Sequence, residues 1–155
     1  KVEIVFIGAD FDAAYFGLDK IVSTPKRLSY RQTGDLYRSA HIGLSMMMTP
    51  HPSYLPFEMM ASGMLVVANR NPANAWLLKH RETCLISENS PNFLANTLID
   101  AVENYQKYES IRRRAAAMIH DKHSDWHDQM SSIAQYMHGG AIAPTVGNVV
   151  ACSET

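Results

Sequence analysis

The chain has 155 residues, of which 46% are hydrophobic and 19% are charged, as is ordinary for one soluble globular domain with a single core. Its formal net charge of −1 gives no electrostatic reason to expect a nucleic-acid partner. No apolar run reaches the ~18 residues that a membrane span needs, and no signal peptide precedes the first predicted strand.

The two cysteines, Cys84 and Cys152, favour a reducing compartment. They lie in segments of different character and do not form a C-x-x-C pair. Cys84 lies in the apolar run 83–86, which is typical of a buried, reduced thiol. We therefore expect a cytoplasmic protein.

Strands and helices alternate along the sequence. Residues 10–25 are predicted to form a surface loop with a short strand, and Thr33 is the predicted N-cap of the helix that follows it. The alternation indicates an α/β domain with a mostly parallel sheet. Predicted strands cover 2–7, 27–30, 41–46, 64–68 and 84–86; predicted helices cover 34–40, 73–79, 91–102, 105–119 and 124–137, with a further short helix between Ser53 and Gly63.

The composition changes near the end of the chain. We expect residues 1–138 to form one domain. Residues 139–155 are rich in Gly, Ala, Pro and Val without periodicity, so we expect a tail or the start of a following segment. Because a strand begins at the second residue, the chain is expected to be a domain cut from a longer protein.

The most informative stretch is 51–69. Ser53 is the predicted N-cap of a short helix, and Pro56 falls in its first turn, where a missing N–H costs little. Gly63 is the predicted stop of this helix, and 64–68 is predicted to be a strand buried on both faces. The helix start would face an anion, because free N–H groups and a positive dipole end point there.

This stretch resembles the donor-site segment of GT-B glycosyltransferases, and among them it is most similar to the retaining family-4-type enzymes. Their usual segment reads E-G-F-G-L-P-x-x-E-A-M-A-x-G-x-P-V-V-A, and EMMASGMLVVA at 58–68 matches its second half. Pro50 stands where the first glutamate is expected, eight positions before Glu58, and HPSYLP at 51–56 replaces the glycine-rich turn. That variant resembles bacterial rhamnosyltransferase-like enzymes of cell-surface glycan assembly.

The resemblance implies a Rossmann-like three-layer domain that forms the C-terminal half of a GT-B fold and binds a nucleoside-diphosphate sugar. The full enzyme would transfer a sugar, such as rhamnose, to a glycan acceptor on an N-terminal domain that this chain lacks, so this part alone would be inactive. No metal or other cofactor is implied, because the helix start and positive side chains would stabilise the diphosphate. Lys20, Lys26 and Arg31 are candidates for the family's Arg/Lys pair, which otherwise lies before Lys1.

The resemblance also assigns site residues. In the family, the glutamate at the position of Glu58 commonly holds the ribose hydroxyls of the nucleotide, since a carboxylate accepts two such hydrogen bonds. The alternative is a glutamate that only complements the helix dipole. His51, Ser53 and Tyr54 would face the diphosphate or the sugar, and Ser53 is equally well explained as a helix cap.

Three further candidates lie earlier in the chain. Gly8 follows the first strand, where open α/β sheets place ligands, and it would let the backbone approach the diphosphate; a plain turn is the equal alternative. Tyr30 and Leu36 correspond to the region that sandwiches the nucleobase in the family. A core role is favoured for Leu36 and is an even alternative for Tyr30.

Other charged groups have simpler interpretations. The run 112–114, three arginines, is predicted to lie on a solvated helix face, with membrane contact at most peripheral. His120, His123 and His127 fit a helix junction better than a zinc site. Two rival functions stay open: a non-catalytic nucleotide-binding or interaction module, which the missing first glutamate favours, and a GT-B nucleotide-sugar epimerase relative.

Overall fold

A computed structural model of the chain describes residues 2–8, 12–25, 27–123 and 126–138. These residues divide into two units between His120 and Asp121. The domain boundary at 138 stays a prediction, because the predicted tail at 139–155 lies outside the described residues. No described helix is both long and apolar enough to cross a membrane.

Within the described residues, five short strands form two sheets in which every pairing is parallel. In the smaller sheet, β1 (Ile4–Val5) pairs with β2 (Val22–Ser23). The larger sheet contains β3 (Ile42–Ser45), β4 (Leu65–Asn69) and β5 (Leu85–Ser87). Their order in the sheet is β3–β4–β5, with Ile42 opposite Leu65 and Val67 opposite Leu85.

Helices follow the strands, as the sequence pattern predicts. They are α1 (Tyr30–Ser39), α2 (Leu55–Ala61), α3 (Pro91–Glu103), α4 (Glu109–His123) and α5 (Trp126–Met137), with 3₁₀ turns at Pro72–Asn74 and Tyr105–Tyr108. The α/β, Rossmann-like architecture with a parallel sheet is thereby confirmed.

Strand β4 lies at the centre of the core and is buried on both faces, as predicted. Val66 and Ala68 pack in one cluster with Met59 and Met60 of α2 and with Ile119 of α4. The alternate residues of β4 pack in a second cluster with side chains from β5, α3 and α4, namely Leu65, Val67, Leu85, Ala101 and Ile111. Full burial of a Val, Leu, Ile or Met side chain such as these contributes roughly 1.5–3 kcal/mol to stability.

The predicted strand at 27–30 and the predicted cap at Thr33 are both wrong. Ser29 is the N-cap of α1: its hydroxyl accepts the Gln32 N–H at 3.4 Å, and Gln32 Oε1 accepts the Ser29 N–H at 2.9 Å. This reciprocal pair is a capping box, and it starts the helix four residues earlier than Thr33 would.

The predicted helix at 73–79 is also wrong, because only a 3₁₀ turn forms there. Asn71 Oδ1 caps that turn by accepting the Ala73 N–H at 2.9 Å. The chain then bends around Thr83, whose hydroxyl accepts the Lys79 N–H and donates to the Leu77 carbonyl, both at 3.0 Å. These side-chain bonds replace the backbone bonds that would continue a helix.

The predicted helix at 105–119 is split. A 3₁₀ turn at Tyr105–Tyr108 comes first, and α4 then starts at Glu109. The turn is held by the Tyr108 hydroxyl and the Asn104 amide, which both donate hydrogen bonds to the Asp100 carboxylate.

The arginine run is not a uniformly solvated face. The Arg112 guanidinium lies 4.3 Å from the centroid of the Tyr105 ring and donates to the Gly63 carbonyl at 3.4 Å, so this side chain is half-buried against the fold. Arg113 is exposed and pairs with Glu109 within α4. Helical spacing alone could not predict that Tyr105 would lie beneath Arg112.

Cys84 is fully buried beside β5, as predicted, and it is a free thiol. Burial raises the pKa of this thiol to about 12, so the side chain stays protonated at neutral pH. Its role is packing rather than chemistry. Cys152 lies outside the described residues.

Candidate functional site

The carboxyl ends of β3, β4 and β5 meet at one edge of the larger sheet. Three segments leave that edge: 46–54 leads from β3 to α2, Arg70 and Asn71 follow β4, and Glu88 and Asn89 follow β5. Open α/β sheets bind ligands at the carboxyl ends of their strands. These three segments therefore form the candidate site.

Asn69, the last residue of β4, anchors the segment that leads to α2. Its Oδ1 accepts the Met47 N–H at 2.7 Å, and its Nδ2 donates to the Met47 carbonyl at 2.8 Å and to Asn89 Oδ1 at 2.9 Å. Asn71 adds a bond to the Thr49 carbonyl at 2.9 Å. Sequence reasoning missed this clamp, although a buried amide at the end of a wholly apolar strand is the signal that could have revealed it.

The start of α2 differs from the prediction. Tyr54, not Ser53, is the N-cap residue, and no side chain caps the helix there. Ser53 lies one residue earlier, and its hydroxyl oxygen accepts the Leu55 N–H at 3.2 Å. Because that amide is taken and Pro56 has none, two of the first three residues of α2 offer no N–H to an anion. The Ser53 hydroxyl hydrogen can still be donated to a ligand.

Glu58 lies on α2 with its side chain exposed to solvent. Among the described residues, no hydrogen bond or ion pair holds its carboxylate. Tyr37 of α1 is buried, and its pKa is raised first by that burial and second by the negative charge of Glu58. The carboxylate therefore lies near Tyr37 of α1, and its oxygens have no partner among the described residues.

A row of aromatic rings runs from the start of α2 to Trp76, just after the 3₁₀ turn at Pro72–Asn74, with Tyr54 and Trp76 exposed and Phe57 half-buried. The ring centroids of Tyr54 and Phe57 are 6.4 Å apart, and those of Phe57 and Trp76 are 6.1 Å apart. The indole Nε1–H of Trp76 donates a hydrogen bond of 3.1 Å to the Ala73 carbonyl, and this bond fixes the orientation of the ring. Sequence reasoning did not select Trp76, which lies twenty-two residues beyond Tyr54 in the printed sequence.

The other predicted residues lie at separate positions. His51 is exposed on the segment before α2. Gly8 is exposed after β1 with a φ of +73°, a conformation that favours glycine and fits both a turn and a close backbone approach. Tyr30 is 97% exposed at the start of α1, so a core role for it is wrong. Leu36 is half-buried on the same helix, about 120° around its axis from Tyr30.

The structure does not bring together the basic residues predicted as candidates for the diphosphate-binding pair. Lys20 and Arg31 are exposed, and Lys26 lies outside the described residues. Arg70, which sequence reasoning did not select, pairs with Glu88 through two bonds of 2.9 and 2.7 Å to Glu88 Oε1. That pairing lowers the pKa of Glu88 and raises the pKa of Arg70, so both groups stay charged.

Two cavities lie along the segments that leave the sheet. The smaller, of about 160 Å³, is bounded by the clamped segment 47–50 and by Arg70, Asn71, Pro72 and Asn89. The larger, of about 440 Å³, lies between the segment after β4 and strand β5. In the part of the chain that the structure describes, no three His, Cys, Asp or Glu side chains are grouped as a metal site would require.

Comparison with known proteins identifies relatives for most of the chain. Residues 1–99 match the profile of a family described as WsaF, C-terminal domain. The O-antigen biosynthesis protein RfbC of Myxococcus xanthus is 47% identical over 103 residues, which are 66% of this chain and 8% of RfbC. The chain thus spans a small part of that relative's length.

Two solved structures share the fold. HepE from Anabaena, in complex with UDP-glucose, superposes with a TM-score of 0.72 at 20% identity, over 82% of this chain and 35% of HepE. The C-terminal domain of LpcC, a glycosyl transferase group 1 family protein from Francisella tularensis, gives a TM-score of 0.58 at 18% identity, over 71% of this chain and 57% of that one. At these identities the likeness shows the fold alone.

Proposed function

This chain belongs to the WsaF C-terminal domain family, and on that premise we propose that it is the donor-binding domain of a GT-B glycosyltransferase. Its ligand is a nucleoside-diphosphate sugar, and the whole enzyme acts in the biosynthesis of bacterial surface polysaccharide. The name of the RfbC relative supports the pathway, and the UDP-glucose complex of HepE supports the ligand class.

The observation that carries the proposal is the position of Glu58. Its carboxylate is exposed, unpaired among the described residues, and placed on the helix that follows the carboxyl end of β3. A carboxylate without a structural partner at such an edge can accept hydrogen bonds from two neighbouring ribose hydroxyls. The first-turn position also suits a glutamate that only complements the helix dipole, and the Glu58→Gln variant separates the two roles.

The diphosphate lies in front of α2 in this proposal. Because Pro56 and the bonded Leu55 amide reduce the backbone donors, side chains supply part of the stabilisation. The Ser53 hydroxyl and the His51 ring are the donors nearest in sequence, and Tyr54 borders the sugar. We propose binding without a metal ion, since a helix start and such donors can substitute for one.

The chemical step needs a second domain. The glycan acceptor binds to an N-terminal domain outside this chain, and an acceptor hydroxyl replaces the diphosphate at the anomeric carbon of the donor sugar. We propose rhamnose as the transferred sugar, because the segment at 51–56 resembles rhamnosyltransferase-like enzymes. We propose a cytoplasmic location, because the free thiol of Cys84 fits a reducing compartment. The 155-residue chain alone binds donor and transfers nothing, because half a site cannot orient two substrates.

A non-catalytic nucleotide-binding module is the second candidate. Pro50 occupies the place of the first glutamate of the family segment, and it borders the smaller cavity without offering a charge. Such a module would bind nucleotide through Glu58 and still transfer nothing after an N-terminal domain is restored.

Calorimetric titration of the chain with UDP, dTDP and their sugar conjugates tests donor binding. Saturable binding that persists in EDTA is the expected result, and binding that requires Mg²⁺ or Mn²⁺ would contradict the metal-free proposal. Absence of binding by all these nucleotides would overturn the donor-domain assignment. Product analysis on the full-length protein then separates a transferase from a module or an epimerase.

A further inference from the structure

The larger cavity is lined by both apolar and basic side chains. Pro72, Ala75, Leu78 and Ile86 line it together with Asn69 and Asn71. Arg70, Lys79 and His80 line it as well, and none of them belongs to the predicted donor site. Its volume of about 440 Å³ lies within the usual range of small-molecule sites, roughly 300–1,000 Å³.

His80 is held in one tautomer. Its Nδ1 lies 2.9 Å from the Ile86 nitrogen and accepts that backbone N–H, so the neutral ring carries its hydrogen on Nε2 and offers it as a donor. The pKa of His80 is lowered, first by burial and then by the charges of Arg81 and Arg70. A neutral donor in a positive field suits an anionic ligand.

Two cations lie beside this histidine. Arg70 uses Nε and Nη2 to bind Glu88, the carboxylate next to the cavity, and its Nη1 group points to no partner among the described residues. The Lys79 backbone is fixed by the Thr83 hydroxyl, while its exposed side chain is not engaged by any described residue. Because Arg70 neutralises Glu88, Lys79 leaves the cavity with a net positive charge.

We propose that this cavity binds a phosphorylated sugar at a subsite separate from the Glu58 site. The phosphate would accept hydrogen bonds from the Lys79 ammonium, the His80 Nε2–H and the Arg70 Nη1 group, because these three side chains line the same cavity and a tetrahedral anion can accept bonds from several donors. The C–H face of the attached sugar packs on Leu78 and Ile86. Two sources share this chemistry: a free sugar phosphate, which is a monoester, and the phosphate-linked end of a glycan, which is a diester.

Nuclear magnetic resonance of the His80 ring in the whole 155-residue chain tests the proposal. The probes are inorganic phosphate, glucose 1-phosphate and its methyl diester. We expect saturable shifts of the His80 resonances, tighter binding of the sugar phosphates than of inorganic phosphate, and a rise in the His80 pKa when the site is occupied. Preference between the monoester and the diester identifies the source. Absence of saturable shifts for all three probes would overturn the proposal.

Matched variants locate the binding. Lys79→Met should lower the affinity for glucose 1-phosphate at least fivefold, and Lys79→Arg should keep most of the parent affinity. The control is Lys107→Met, at an exposed lysine that hydrogen-bonds Asn104, and it should leave the affinity unchanged. Equal losses in Lys79→Met and Lys107→Met would contradict the assignment. Saturating UDP should leave the His80 response intact, and displacement by UDP would show that the cavity belongs to the donor site. The shifts of the His80 resonances are measured without UDP, whereas the donor proposal is tested by nucleotide titration. Failure of one proposal is therefore distinguishable from failure of the other.

Discussion

Asn69 and Met47 form a reciprocal pair in which one side-chain amide bonds both backbone groups of the other residue, at 2.7 and 2.8 Å. The two residues lie on adjacent strand ends and are separated by 22 positions in sequence. These two bonds fix the start of the segment 46–54 on the sheet, as backbone hydrogen bonds between paired strands would. That segment carries His51, Ser53 and Tyr54.

Replacing Asn69 should therefore affect both stability and binding. Asn69→Ala leaves the Met47 N–H without a partner and the Met47 carbonyl with only the 3.3 Å bond from Asn71 Nδ2, so we expect the free energy of unfolding to fall by about 1–3 kcal/mol. Nucleotide affinity should fall as well, because the segment before α2 loses its anchor. Urea unfolding and calorimetry measure the two effects. Asn96→Ala, at an exposed position of α3, is the control and should leave both nearly unchanged.

Glu58→Gln separates a ligand-binding glutamate from a scaffolding one. The variant keeps the shape but loses the charge-assisted bonds, each of which contributes about 1.5–3 kcal/mol, so nucleotide affinity should fall roughly ten- to hundredfold. Stability should change by less than about 1 kcal/mol, which is the scale of a dipole interaction.

A 2′,3′-dideoxy nucleotide supplies the control for this prediction. It lacks the hydroxyls that Glu58 would bind, so Glu58→Gln should barely change its affinity. Glu103→Gln, at the exposed end of α3, should alter neither nucleotide. If Glu58→Gln weakened both nucleotides equally, ribose recognition by this residue would be disproved.

Two glycines should respond to alanine in opposite directions. Gly63 ends α2 with a φ of +82°, so Gly63→Ala should destabilise the protein by about 1–2 kcal/mol. Gly34 lies inside α1, where an added methyl would meet only the flexible end of Arg38 at 3.3 Å, so Gly34→Ala should stabilise by about 0.5–1 kcal/mol. Thermal unfolding of the two variants side by side measures both signs.

The Asp100–Tyr108 hydrogen bond should make stability depend on pH. The bond from the Tyr108 hydroxyl is the largest of the causes that lower the pKa of Asp100. A carboxyl group with a lowered pKa stabilises the fold above its ordinary pKa of about 3.9, and this contribution is lost as the pH falls through the lower folded value. Tyr108→Phe should remove part of the stability at pH 7, and the difference from the parent chain should shrink below pH 4. A difference that stays constant down to pH 2 would contradict this linkage.

The parts of the fold that the sequence predicted have local causes. An unbroken apolar run followed by a polar residue identified β4, and the glycine before it identified the end of α2, because both signals lie within a few residues. The strand predicted at 27–30 was wrong because Ser29, between Leu28 and Tyr30, follows the alternating pattern of a strand. Gln32, three residues later, instead completes a capping box with Ser29 and starts α1. The helix predicted at 73–79 failed because Thr83 competes for the backbone from outside that window.

The candidate site shows the same division. Glu58 and the segment before it were identified from a motif that is contiguous in sequence. The clamp by Asn69, the ring row that ends at Trp76 and the basic cavity at Lys79 and His80 depend on residues brought together only after the sheet has formed. In the sequence, each of these features is marked only by single polar or aromatic residues, and such residues are common on protein surfaces without a functional role.

The wholly parallel pairing of β3, β4 and β5 has a kinetic consequence. Parallel neighbours cannot be joined by a hairpin, so no strand pair of this sheet can form as an isolated local unit. Ile42 meets Leu65 only after the chain between them has turned through α2, and Val67 meets Leu85 only after the bends around Thr83. Folding must therefore close these loops before the strand contacts can form, and such non-local contacts form more slowly than the local contacts of a helix.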